Sequence, residues 1–120
     1  MTITVLKSKV HNARVTVCNV EYEGSLSLDE ELIKKANMVP YERILVVNVS
    51  NGERFETYLI PAEAGSKEVG LNGAAARLAV VGDPVIIMSF AQKEPQEQVK
   101  ATILIMDEHN NVKDIKEVDV

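Results

Sequence analysis

A chain of 120 residues with 46% hydrophobic content suits a single domain with a real core, which excludes disorder. Its formal net charge of −5, with no basic stripe or arginine-rich run, argues against nucleic acid as a partner, and no apolar run approaches the ~20 residues needed to cross a membrane. The lone Cys18 rules out an intramolecular disulfide and, with no signal-peptide segment at the start, the expected compartment is the cytoplasm.

Aromatic residues make up only 4% of the chain, so the core must be built from Val, Ile, Leu and Ala. Ile3, Val5, Val10, Val15 and Val17 predict two early strands with a break around Lys7–Lys9, the second strand running to about Tyr22 and interrupted at Gly24–Ser25. A helix follows. Ser27 and Glu30 have the spacing of a capping box, Leu28, Leu32, Ile33 and Ala36 fall on one face, and Pro40 ends it. Arg43–Val49 reads as a buried strand, Asn51–Gly52 as a two-residue hairpin turn and Arg54–Ile60 as the partner strand, closed by Pro61. A short strand near Glu68–Leu71, a short helix over Ala74–Val81 opening at Asn72–Gly73, and strands over Val85–Phe90, Ala101–Met106 and Val112–Val118 complete the reading. Lys93–Gln98 is expected to be a loop and His109–Asn111 a turn. Many short strands with one clear helix suggest a small β-barrel or sandwich, and periodicity does not choose between them.

Four segments carry groups able to do chemistry. In Tyr22–Glu23–Gly24–Ser25 the glycine frees the backbone, and the serine hydroxyl lies one residue from the Gly24 carbonyl. By local chemistry alone this is first a turn before a capped helix. Arg54, Glu56 and Tyr58 share one face of their strand, with Phe55 and Thr57 on the other. Arg54 offers a forked donor for a carboxylate, or is an ordinary surface arginine of a hairpin. Asn72–Gly73–Ala74–Ala75–Ala76 puts small residues at a helix start, where backbone N–H groups can meet an anion or where elements simply pack closely. Lys9 and His11 share a strand face. The lysine suits a carboxylate and the histidine suits proton transfer, unless the strand is a solvated edge. Cys18 reads as a small buried hydrophobe and His109 as a solvated turn residue. His11 and His109 lack the spacing of metal ligands, so no metal is expected.

The order and spacing of these segments resemble the bacterial aspartate 1-decarboxylase family. The matching residues are Lys9, His11, Tyr22–Glu23–Gly24–Ser25, Asn48, Asn51–Gly52, Arg54, Thr57–Tyr58, Asn72–Gly73–Ala74–Ala75–Ala76 and Gly82–Asp83, and the resemblance runs from about Lys7 to Phe90. Leu26, after the serine, is a departure from the smaller or β-branched residue often found there.

The resemblance implies a six-stranded double-psi β-barrel with short helices, assembled as a homotetramer with active sites between subunits. It implies a proenzyme that cuts itself at Gly24–Ser25 into residues 1–24 and 25–120, with Thr57 assisting the cut. Ser25 then becomes a covalent pyruvoyl cofactor, which binds L-aspartate as a Schiff base. The product is β-alanine, which feeds pantothenate and coenzyme A synthesis. It further implies that Tyr58 donates a proton, that Lys9 and Arg54 hold carboxylates, that Thr57 and the backbone of Gly73, Ala74 and Ala75 contact the substrate, and that Asn72, Tyr22 and His11 line the pocket. Two other readings stay open on the residues alone: an uncleaved barrel binding a small acidic ligand, and an assembly module with no use for Ser25.

Overall fold

β-Branched and aliphatic residues in short runs form nine strands, interrupted by two short helical segments. The computed structural model covers residues 1–120. Its strands are β1 (Ile3–Arg14), β2 (Val17–Asn19), β3 (Ser25–Asp29), β4 (Arg43–Asn48), β5 (Arg54–Ala62), β6 (Val69–Asn72), β7 (Pro84–Lys93), β8 (Lys100–Met106) and β9 (Val112–Asp119). Helix α1 spans Glu30–Lys35, and a 3-10 helix spans Gly73–Leu78.

The strands are hydrogen-bonded in the order β2-β6-β3-β5-β4-β7-β1-β8-β9. Parallel neighbours (β3 with β5, β1 with β8, β2 with β6) are mixed with antiparallel ones (β3 with β6, β4 with β5, β4 with β7, β1 with β7). The molecule is therefore mainly β with short helices, as expected, and the mixed pairing is consistent with a double-psi barrel. The three-residue β2 lies at one end of the order and the antiparallel β8–β9 hairpin at the other, flanking six inner strands.

One cluster of aliphatic side chains forms the core. Val10, Leu26, Leu28, Ile33, Ile44, Leu59, Leu71, Ile87 and Leu104 are all at most 1% exposed. Burying each such side chain contributes about 1.5–3 kcal/mol. Leu26 and Leu28 of β3 thus fix the strand that begins at Ser25.

Local details differ from the sequence reading for physical reasons. β1 is continuous. Instead of a break there are register shifts between Leu6 and Ser8 and between Val10 and Ala13, the second at Asn12 with φ 63°. The Lys7 ammonium turns aside to Glu42, 3.1 Å away. β2 stops at Asn19, because the Asn19 side chain takes the Glu21 N–H at 3.1 Å and starts a turn. Gly24–Ser25 does not interrupt a strand but opens β3. The cap of α1 is Asp29, not Ser27. Its buried carboxylate accepts the N–H groups of Glu31 at 2.8 Å, Gly65 at 3.1 Å and Lys67 at 2.8 Å, while Ser27 is held inside the ladder opposite Ile60 and Gly70. The β4–β5 hairpin forms as expected but with a wider loop: Gly52, at φ 77°, donates to the Asn48 carbonyl at 2.8 Å. Pro61 does not close β5 but lies within it, opposite Leu28.

Candidate active site

Ser25 is the first residue of β3 and pairs with Asn72, the last residue of β6. It is 1% exposed. A buried hydroxyl needs partners, and this one has two. Ser25 Oγ donates to the Glu23 carbonyl at 3.3 Å and accepts from Asn72 Nδ2 at 3.0 Å. The second Asn72 amide proton goes to Ser27 Oγ at 2.9 Å. Asn72 therefore holds both serines of β3 from the neighbouring strand, its carboxamide nitrogen carrying two donor protons.

The preceding backbone is held by a different device. Gly73 has φ 67°, and a Cβ there would lie 2.8 Å from Gly24 Cα and 2.9 Å from Gly24 N. No side chain larger than hydrogen fits, so the Asn72–Gly73 corner presses directly on the chain entering β3. Gly24 itself has open space, the nearest atom to an added Cβ being the Asn72 carbonyl at 3.9 Å.

Two cavities meet at the Gly24–Ser25 peptide. One, of 290 Å³, is lined by Gly24, Phe55, Glu56, Thr57, Ala74, Ala75 and Leu78. The other, of 350 Å³, is lined by Tyr22, Glu23, Ser25, Tyr41, Tyr58, Ile60 and Pro61. Strand geometry accounts for the division. Thr57 and Tyr58 are consecutive on β5 and face opposite sides, so one reaches the Gly24 side and the other the Ser25 side. The Thr57 hydroxyl makes no hydrogen bond within the chain. The Tyr58 ring stacks on Tyr41, with centroids 5.9 Å apart and planes at 17°.

The structure thus brings together Tyr22, Gly24, Ser25, Thr57, Tyr58, Asn72, Gly73, Ala74 and Ala75. It does not bring Lys9, His11 or Arg54 to them within one chain. Lys9 and His11 lie on β1, which is separated from β3 by β7, β4 and β5. Arg54 starts β5 on the Tyr58 side, but four residues of strand put it about 13 Å away along the chain. None of the three lines either cavity, and neither Lys9 nor Arg54 forms an ion pair. His11 Nδ1 is buried without a hydrogen-bond partner. Burial, and then the nearby Lys9 charge, lower the His11 pKa.

Asn48 and Asp83 play a supporting part. Asn48 Nδ2 donates to Asp83 at 2.9 Å and to the Leu78 carbonyl at 3.1 Å, and Asp83 also takes the Val80 N–H at 3.0 Å. The Asn48 hydrogen bond, followed by that from Val80, lowers the Asp83 pKa. This network ties the end of the 3-10 helix to β4, which fixes the Ala74–Ala75 wall. The sequence reading missed the Glu23 carbonyl, Ser27 and Tyr41. Ser27 carried a signal in its strand-like two-residue spacing from Ser25, whereas Tyr41 carried none.

Comparison with known proteins gives the family. A family model described as aspartate decarboxylase matches residues 1–113. The chain belongs to the aspartate decarboxylase family. It is 75% identical over 118 residues to the aspartate 1-decarboxylase of Coprothermobacter proteolyticus, covering 98% of both chains. It is 54% identical to that of Chlorobium phaeovibrioides, covering 94% of this chain and 90% of the relative. It is 55% identical to that of Chlorobium chlorochromatii, with 94% and 89% covered. The aspartate decarboxylase family is one of carboxy-lyases, so the chain is that of an enzyme. No helix is long and apolar enough to cross a membrane.

Proposed function

We propose that the chain is a proenzyme that cuts itself between Gly24 and Ser25, converts Ser25 to a pyruvoyl group, and then decarboxylates L-aspartate to β-alanine and carbon dioxide. The observation that carries this reading is the state of Ser25: buried, hydroxyl-bonded to Asn72, and joined to a glycine whose backbone is pressed by Gly73.

In the cleavage step Ser25 Oγ attacks the Gly24 carbonyl carbon. The C–N bond breaks, the Ser25 nitrogen takes the hydroxyl proton, and an ester joins Gly24 to the serine oxygen. The Thr57 hydroxyl, free of other partners on the Gly24 side, donates to the developing oxyanion. Asn72 orients the attacking oxygen. Loss of the Ser25 α-proton then expels the Gly24 carboxylate and leaves a dehydroalanine. Water replaces its nitrogen, which departs as ammonia. The products are residues 1–24 and residues 25–120.

The residues around Ser25 fit the pyruvoyl group that this chemistry leaves. The position opens onto a 350 Å³ cavity beside Tyr58, and an amide donor already points at the side-chain site. When formed, the group supplies a ketone that takes up the substrate amine and accepts the electron pair left by carbon dioxide. The chain's own residues do the rest. Tyr58 returns a proton to the former α-carbon; a tyrosine phenol carries its proton at neutral pH. Thr57 and the Gly73, Ala74 and Ala75 backbone bind the substrate beside the Ala wall, and Tyr22 and Asn72 line the pocket. Lys9 and Arg54 hold carboxylates, with the carboxylate to be lost kept away from a strong cation, since stabilising it would slow its departure.

Because Lys9, His11 and Arg54 lie apart from Ser25 in one chain, the reading includes a homotetramer in which these groups meet the site across a subunit boundary. It also includes a cytoplasmic enzyme whose β-alanine serves pantothenate synthesis. Intact mass of the purified protein tests the proposal. Two fragments are expected, the larger with a ketone at its N-terminus. A single uncut chain with an ordinary serine that still turned over aspartate would overturn it.

A further inference from the structure

Residues with positive φ, glycine apart, number five: Asn12, Asn37, Tyr41, Lys67 and Asn110. Three are asparagine, which tolerates this conformation because its short side chain bonds locally. Tyr41, at φ 69°, is the only one with a bulky ring. The backbone there has a reason to turn. Tyr41 N–H donates to the Leu59 carbonyl at 2.7 Å, and Leu59 N–H donates to the Glu42 carbonyl at 3.1 Å, which docks the entry to β4 against β5. That geometry would be met with less strain by asparagine or glycine. The tyrosine side chain gains little from folding: it is 73% exposed and makes no side-chain hydrogen bond. Its one aromatic contact is the stack on Tyr58, at 5.9 Å and 17°. Both rings line the cavity that holds Ser25.

We propose that Tyr41 is a positioning residue for Tyr58, a strained and exposed ring that fixes the Tyr58 ring plane so that its phenol points at the reacting carbon beside Ser25. A bulky side chain kept at a positive φ, where a smaller residue would meet the same pairing, is found where a site needs an otherwise unfavourable placement. Here the strain places a flat partner against one face of the Tyr58 ring. Offset stacking restricts rotation of Tyr58 about its side-chain bonds. Proton delivery depends steeply on such placement. Bond scission at Gly24–Ser25 does not use Tyr58, so the two reactions respond differently to Tyr41.

The inference rests on the proposed decarboxylation, and the test separates the two. Wild type, Tyr41→Phe and Tyr41→Asn are purified as the full chain. For each, the cut fraction, the melting midpoint, and kcat and KM for aspartate are measured. Tyr41→Phe keeps the ring and should hold kcat within about twofold of wild type. Tyr41→Asn relieves the backbone and removes the ring. It should be cut as fully as wild type and melt no lower, yet show kcat down by about tenfold with KM changed much less. A wild-type kcat in Tyr41→Asn overturns the positioning role, as does a loss that Phe fails to rescue or that accompanies a lower melting midpoint. A wild-type protein that is uncut or inactive on aspartate removes the proposed function itself, and this inference with it.

Discussion

The residues proposed for the site fall in two regions of unlike construction. The region around Ser25 is closed on itself: β3, β5, β6 and the 3-10 helix bring Gly24, Ser25, Thr57, Tyr58 and Asn72 within reach through strand pairing and one bare glycine corner. The region bearing Lys9 and His11, with Arg54 at the start of β5, has its charges in place but nothing to hold. Those cations form no ion pairs, and a buried imidazole nitrogen has no partner. The contrast teaches a division of labour. Under the proposed function, the groups assigned to the self-cutting step come together in one copy, whereas Lys9 and Arg54, assigned to carboxylates, lie apart from them.

The sharpest way to break that comparison is to remove one region at a time. Ser25→Ala should leave an uncut 120-residue chain with no decarboxylation at all, read by intact mass and carbon dioxide release. Lys9→Ala should still be cut but turn over aspartate poorly. Co-expressing the two variants then asks where the regions meet. If sites join groups from neighbouring copies, random assembly should restore roughly a quarter of the sites, each taking Ser25 from one copy and Lys9 from another. If each copy builds its own site, mixing restores nothing, and the division drawn above fails.

Arg54→Ala should be cut normally and lose about 10- to 100-fold in kcat/KM, the usual cost of removing one charge-assisted clamp on a carboxylate. A matching loss of cleavage would move Arg54 into the Ser25 region. Asn72→Ala works from the other side. It leaves the Ser25 and Ser27 hydroxyls without their shared donor, which costs about 1–3 kcal/mol of stability for buried groups of this kind. Cleavage should slow as well, followed by the appearance of the two fragments over time. Unchanged cleavage with lowered stability would make Asn72 structural only.

How much of this was legible in the sequence depended on whether the cause was local. The hairpin around Asn51–Gly52, the strand expected over Arg43–Val49 and the helix before Pro40 follow from neighbouring residues, and each formed, with the hairpin loop wider, the strand ending at Asn48 and the helix spanning Glu30–Lys35. Ser27 misled because its capping pattern is genuine locally, but β5 and β6 claim it for the ladder, leaving Asp29 to cap with a carboxylate that also collects Gly65 and Lys67. The Gly24–Ser25 turn became the start of a strand for the same reason: Leu26 and Leu28 fill the core only if β3 begins there. Gly73 was visible as a small residue, but its contact with Gly24 joins positions far apart in sequence. Family resemblance pointed to Lys9, His11 and Arg54, yet no local pattern said that one chain would leave them apart from Ser25. Tyr41 had no signal, since positive φ at a tyrosine is imposed by the Leu59 pairing.

The smallest effect concerns His11, and it reports on the Lys9–His11 region directly. Burial, reinforced by the Lys9 charge, holds its pKa below the ordinary value. The unfolded chain therefore binds a proton at this residue at a pH where the folded chain does not. Above the ordinary value near ~6.5 both states are neutral and the contribution to stability is fully present. As pH falls below that, the unfolded state takes up its proton first and the contribution is lost, until the folded imidazole is protonated too. The melting midpoint of wild type relative to His11→Gln should accordingly fall between pH 7.5 and pH 5, by a small amount because the ring is only partly buried. A flat difference would mean that the imidazole is solvated. If a second copy covers this surface and brings no carboxylate to His11 Nδ1, the drop should grow as protein concentration favours assembly. If it brings one, the pKa should rise and the drop should shrink or reverse. The direction of that change would say what chemistry a neighbouring copy presents to the surface around His11.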